Sequence, residues 1–218
     1  NNALPTVSIS GTSTICFGKS TTLTASGATS YSWKGGQTTA AVTVSPTVNT
    51  DYTVTGTDAN SCTASATATV TVNSLPSISI TGTTTICNGK STTLTASGAV
   101  SYSWNGGQTT AAVTVSPTAT VTYYVTGTDG NSCSSSTSQS VTVNALPTVS
   151  VSGTSTICNG ASTTLTASGA TDYSWNNGET NAAVTVTPSS SVTYTVTGTD
   201  GNSCSASATK AVTVNSLP

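Results

Sequence analysis

The chain reads as all-β, built from three tandem β-sandwich units. Three observations predict this. β-Branched residues alternate with Ser and Thr in short runs cut by Gly, Asn, Asp and Pro, the pattern of half-buried strands. One message recurs at a period of 71 residues, marked by Trp33, Trp104 and Trp175 and by Leu-Pro steps ending at Pro5, Pro76, Pro147 and Pro218. Two cysteines keep the same ruler in every copy: Cys16, Cys87 and Cys158, then Cys62, Cys133 and Cys204. The expected units are 1–75, 76–146 and 147–218. The sequence opens on Asn-Ala-Leu-Pro and closes on Asn-Ser-Leu-Pro, both inside the repeated junction, so a segment of a longer array is expected.

The first copy shows the elements in order. Val7 and Ile9 alternate with Ser8 and Ser10 as a first strand, and Ile15-Cys16 leads into a turn at Phe17-Gly18. Strand TTLTAS (21–26) points Leu23 and Ala25 inward and breaks at Gly27. Tyr31-Ser32-Trp33 follows, ended by Lys34-Gly35-Gly36; then AAVTVSP (40–46), with Val42 and Val44 inward. DYTVTGT (51–57) places Tyr52 and Val54 inward before a turn at Asp58-Ala59-Asn60-Ser61. The last strand, Cys62 to Asn73, carries Val70 and Val72. Six or seven short strands, one Trp and flanking cysteines fit an immunoglobulin-like sandwich. Trp33, Trp104 and Trp175 are expected at the core centre, with Tyr52, Tyr123 and Tyr194 as structural tyrosines near a corner. Outward Thr is the polar residue an exposed strand prefers, and sheet twist works against a flat, ice-binding-type Thr array.

Composition narrows the function. Only 5% of residues are charged, so hydroxyls must carry solubility. With four Lys, no Arg and a net charge of -2, nucleic-acid binding is disfavoured. No apolar run is long enough to span a bilayer. The chain has no His, hence no Ser-His or Cys-His nucleophile pair, and no recurring pair of carboxylates; an enzyme is not expected. No cofactor is expected. The only acid present in all copies is Asp58, Asp129 and Asp200, a weak calcium candidate because calcium wants six to eight oxygens; a turn-forming role is preferred.

Six cysteines without His or CxxC read as disulfides, and disulfides imply an oxidising, extracellular compartment. Two pairings are open. Within a repeat, Cys16–Cys62, Cys87–Cys133 and Cys158–Cys204 would each contribute about 4 kcal/mol in the chain-entropy model. Greek-key strand directions, however, put these partners at opposite poles, about 25–30 Å apart. Between repeats, Cys16 would reach Cys133 and Cys87 would reach Cys204, leaving Cys62 and Cys158 for further copies. The Asn73-Ser74-Leu75-Pro76 link is short and stiff, with Leu75 packed in the junction, so a head-to-tail rod of about 110 Å is expected.

The pattern I-C-x-G-x-S-x-x-L-T-A-S, Y-S-W-x-x-G, Y-x-V-T-G-T-D-x-N-S-C and V-T-V-N-x-L-P resembles the tandem Ig-like or PKD-like repeats of very large surface and secreted proteins, among them adhesins, of Bacteroidota. The resemblance implies a sandwich fold, export to the cell surface and a stalk or adhesive filament. The expected role is thus a disulfide-reinforced stiff stalk. Its partners would be neighbouring repeats, with lateral self-assembly or a surface glycan as further possibilities and no membrane insertion. Two alternatives are a spacer array in a secreted polysaccharide-degrading enzyme and a carbohydrate-binding module using Tyr31 or the loop tips.

Overall fold

The computed structural model describes residues 3–217; Pro218, the last of the four Leu-Pro steps, lies outside them. Every element is a strand. The first repeat contains β1 (Ser8–Ser10), β2 (Thr14–Cys16), β3 (Thr21–Ser26), β4 (Ser30–Trp33), β5 (Ala41–Val44), β6 (Thr50–Thr57) and β7 (Thr63–Asn73). The second contains β8 (Ser79–Thr81), β9 (Thr85–Cys87), β10 (Thr92–Ser97), β11 (Ser101–Trp104), β12 (Ala112–Val115), β13 (Val121–Thr128) and β14 (Ser134–Asn144). The third contains β15 (Ser150–Ser152), β16 (Thr156–Cys158), β17 (Thr163–Ser168), β18 (Asp172–Trp175), β19 (Ala183–Val186), β20 (Val192–Thr199) and β21 (Ser205–Asn215).

In the first repeat one sheet runs β1-β3-β5 and the other β2-β7-β6-β4, and the same two orders recur in the second and third. This is a two-sheet immunoglobulin-like sandwich with a split first strand. β1 pairs antiparallel with β3, whereas β2 pairs parallel with the end of β7, Thr14↔Thr71 through Cys16↔Asn73. The chain changes sheet between them at Gly11, whose φ of 134° lies in the left-handed half of backbone space. A Cβ there would come within 2.3 Å of the Thr22 carbonyl oxygen.

β2, β9 and β16 are strands where the sequence predicts, at Ile15-Cys16, only the approach to a turn. Thr14-Ile15-Cys16 places two apolar residues side by side and shows no alternation, and the partner strand lies more than fifty residues away.

Strands form where alternation is strict. β3 is buried and exposed in turn along TTLTAS, with Leu23 and Ala25 inside. In the first core these meet Ile15, Trp33, Val42, Val54 and Val70, with Tyr31 and Tyr52 packed at the edge. The third core repeats this with Leu165, Ala167, Trp175, Val184, Val196 and Val212, and adds Val186 and Tyr194. Trp104, Leu94, Val125 and Val141 are buried in the second. By packing, the described residues fall into two compact units. One takes residues up to Ile80 with Thr95–Ala111 and Tyr124–Ser138; the other takes Thr81–Leu94, Ala112–Tyr123 and the residues from Gln139 on. Each unit therefore joins one outer repeat to part of the middle one.

Candidate functional site

Two disulfides cross from one repeat to the next: Cys16–Cys133 and Cys87–Cys204, each with Cα atoms 5.5 Å apart and a separation of 117 residues. Each lies inside one compact unit. Strand register gives the reason. Cys16 sits beside Asn73, at the far end of β7, while Cys62 immediately precedes Thr63, where β7 begins. The 11 residues of β7 separate the two by about 35 Å at the rise of a strand. A disulfide within a repeat is therefore excluded. Cys62 and Cys158 carry no disulfide.

Each side of the joint is held by backbone. At the turn between β6 and β7, Asp58 Oδ1 accepts the N–H groups of Asn60 and Cys62, both at 2.8 Å. The Asp58 N–H donates to the Cys62 carbonyl, and Ser61 takes a left-handed φ of 64°. Asp129 and Asp200 hold Cys133 and Cys204 in the same way. The recurrent acid thus spends one carboxylate oxygen on the turn that presents the cysteine. No group of three or more His, Cys, Asp or Glu suited to a metal ion occurs among the described residues. On the other side, the Phe17 N–H donates to the Asn73 carbonyl at 2.8 Å and the Lys19 N–H to the Cys16 carbonyl at 3.0 Å. The linker residues Leu75 and Leu146 remain 42% and 43% exposed, so they are covered only in part, less than the expected packing of Leu75.

The aromatic residues divide their tasks differently from the sequence reading. Trp33, Trp104 and Trp175 are buried, and each indole Nε1 donates to a backbone carbonyl, that of Thr39, Thr110 and Asn181. The tyrosine that ties back to upstream backbone is Tyr31, not Tyr52. The Tyr31 hydroxyl accepts the Ala28 N–H at 3.1 Å and donates to the Ala28 carbonyl at 3.0 Å. Tyr102 and Tyr173 repeat the lock on Ala99 and Ala170. Its signal in the sequence was the constant three-residue spacing from Ala to Tyr. This use of Tyr31 removes its hydroxyl from the carbohydrate role considered for it. Tyr52 and Tyr123 are half-buried and Tyr194 is buried.

The first repeat also holds a cavity of about 240 Å³ that the sequence did not show, with Trp33, Val42, Val44 and Tyr52 as apolar lining and Lys34, Gln37 and Asp51 among its polar residues. The copies differ at one of its lining positions. Where the first repeat has Lys34, the others have Asn105 and Asn176, whose Oδ1 atoms accept the N–H groups of Tyr124 and Thr195. Lys34 offers no such acceptor. Val115 and Val186, equivalents of the half-buried Val44, are buried.

No family model matches the chain, and no curated protein does. Solved structures align with it at low sequence identity. Three N-terminal domains of the highly immunogenic outer capsid protein of bacteriophage RB49 align over 98% of this chain and 100% of theirs, at 16% identity and a TM-score of 0.37. Part of a 1.5-MDa bacterial ice-binding adhesin aligns over 100% of both, at 15% identity and a TM-score of 0.36. A calcium-stabilized adhesin with which an Antarctic bacterium binds ice aligns over 100% of this chain and 75% of its own, at 16% identity and a TM-score of 0.41.

Proposed function

We propose that the chain is a structural, non-enzymatic stretch of an extracellular repeat protein, a stalk or adhesin shaft that carries tension along its length. The observation that supports this is the crossing of both disulfides into the next repeat. Bonds of this kind need an oxidising compartment, which favours export. The resemblance of the repeats to those of Bacteroidota surface proteins points the same way.

The crossing also has a mechanical consequence. A pull applied at the two termini runs along backbone to Cys16, jumps to Cys133, follows the backbone to Cys87, jumps to Cys204 and leaves. That path uses about a third of the backbone contour, and only this part can be drawn out while the bonds hold. Single-molecule extension is the test. The oxidised chain should lengthen to about a third of the reduced chain's contour, and adding reductant should release the rest. Equal extension with and without reductant would remove the tension-bearing reading. The alternative of a spacer in a secreted polysaccharide-degrading enzyme relies on the same mechanics.

A second reading, carbohydrate binding, is favoured by the cavity of the first repeat. Its apolar lining suits the C–H face of a sugar ring, and Lys34, Gln37 and Asp51 supply hydrogen-bonding groups. Titration with neutral oligosaccharides should shift Trp fluorescence in the intact chain and lose the shift in Tyr52→Ala. No shift with any of them would leave the shaft reading alone.

A further inference from the structure

We infer that the crossed disulfides guard the chain against proteolysis. The two linkers, 73–76 and 144–147, can both be cut, and the three repeats remain one covalent body until the bonds are also reduced. The inference goes beyond the shaft reading, because it concerns the fate of a cut chain whether or not that chain bears load.

The order of the bonded cysteines carries it. Along the chain they run Cys16, Cys87, Cys133 and Cys204, with the first bonded to the third and the second to the fourth. A cut in each linker leaves Cys16 on the first piece, Cys87 and Cys133 on the middle piece and Cys204 on the last. Cys16–Cys133 then ties the first piece to the middle one, and Cys87–Cys204 ties the middle piece to the last. A nested pairing, Cys16 with Cys204 and Cys87 with Cys133, would free the middle piece. Pairing within each repeat would free all three. The fold imposes the interleaved order on the middle repeat. Cys133 immediately precedes β14, and Cys87 lies beside Asn144, at the other end of that strand. The 11 residues of β14 hold these two sulfurs about 35 Å apart. They cannot bond to each other, and each is left to a different neighbour.

Exposure places the weak point at the linkers and the cover at the bonds. Ser74, Leu75, Ala145 and Leu146 are exposed, and exposed segments between folded elements are where backbone is nicked. Cys133 and Cys204 are 0% exposed, and Cys87 and Cys16 are half-buried. Thiol exchange needs access to a sulfur, so one end of each bond is shielded from a dissolved reductant. A protease meets the linker more readily than a thiol meets the bond.

The linkers also lie off the path of a pull. Force that passes from Cys16 to Cys133 and from Cys87 to Cys204 bypasses 17–86 and 134–203, and both linkers fall inside those stretches. Release of a repeat therefore takes two reactions. Each cut adds one water across a peptide bond and leaves a carboxylate and an amine. Each disulfide opened takes up two electrons and two protons, supplied by a dithiol such as dithiothreitol, which closes to its own disulfide.

The test uses the full chain with a recognition sequence for a site-specific protease inserted between Ser74 and Leu75 and between Ala145 and Leu146. Free thiols are alkylated first, both sites are cut, and the products are run on denaturing gels. Without reductant the chain should stay in one band at the uncut mass; with reductant it should fall into three. The same insertions in Cys87→Ser with Cys204→Ser should lose the third repeat without reductant and keep the first two together. Release of the middle repeat, or of all three, from the unsubstituted chain without reductant overturns the inference. Where the insertions prevent folding, a non-reducing peptide map of the unmodified chain decides: peptides joining Cys16 to Cys133 and Cys87 to Cys204 uphold the inference, and any nested or within-repeat peptide overturns it. Held by its termini, the doubly cut oxidised chain should extend as far as the uncut one and part when reductant is added. A doubly cut chain that stays in one band, while the uncut chain extends equally with and without reductant, upholds the inference and removes the tension-bearing reading.

Discussion

Asp129 shows how much one side chain does at this joint. Its Oδ1 accepts the N–H groups of Asn131 and Cys133 at 2.9 and 2.8 Å, and so fixes the turn that presents the sulfur. Asp129→Ala leaves these donors without their acceptor and should cost about 1–3 kcal/mol in urea unfolding. Asp129→Asn keeps an oxygen in place and should cost less than half of that. Chelators should leave the wild-type midpoint unchanged if the carboxylate acts on the turn alone; a midpoint that falls on chelation would restore the calcium reading. Leu165, 0% exposed, belongs to the same scale: Leu165→Ala should cost about 2–5 kcal/mol by cavity formation, checked by the same unfolding curve. The outward hydroxyls have a task as well. Thr53 pairs with Thr67, Thr55 with Ser65 and Ser8 with Ser26, all at 2.9 Å, linking neighbouring strands in a chain with few charges to pair.

Among the elements, the split first strand is the one that builds the joint. β2, β9 and β16 are short parallel additions to the edges of β7, β14 and β21, and they carry Cys16, Cys87 and Cys158 to that end of the sandwich. The crossing from β15 to β16 passes through Gly153, with φ of 132° and a Cβ position 2.4 Å from the Thr164 carbonyl oxygen. Gly153→Ala should therefore destabilise by about 1–3 kcal/mol, from backbone strain and the forced shift of β17, as read by thermal unfolding. Most strands were legible beforehand. TTLTAS, SYSW and VTVN announce a buried face through alternation within a few residues; of the inward positions, Leu23, Ala25, Val42, Val54 and Val70 are buried, and Val44, Tyr52 and Val72 are half-buried. β2 was not legible because its pairing is parallel and remote. The Tyr31 lock was not legible either, because a hydroxyl's partner depends on how the chain turns at Ala28 and not on strand period.

For the whole molecule, the disulfides tie each outer repeat to the middle one. Each closes a loop of 117 residues, a constraint on the unfolded chain of about 5 kcal/mol in the entropy model, with less expected in sum because the two loops overlap. Removing one bond as the pair Cys87→Ser and Cys204→Ser should lower stability by about 2–5 kcal/mol and leave far-ultraviolet circular dichroism unchanged, since the strands do not depend on it. The cavity of the first repeat belongs to this scale too. Lys34, where the other copies have Asn, ends a strand in the sequence, and only folding brings it beside Val44 and Tyr52.

The sequence by itself determined the strands, the inward faces, the threefold message and the absence of histidine chemistry, because each is written in residues that are close together or identical at fixed spacing. It left the cysteine pairing open between two schemes. The tertiary structure decided it by placing Cys16 beside Asn73, at the opposite end of β7 from Cys62. Which sulfurs meet depends on strand length, direction and register together. A length of eleven residues is too far for a disulfide to bridge within one repeat, while the adjoining repeat brings a cysteine within 5.5 Å between Cα atoms.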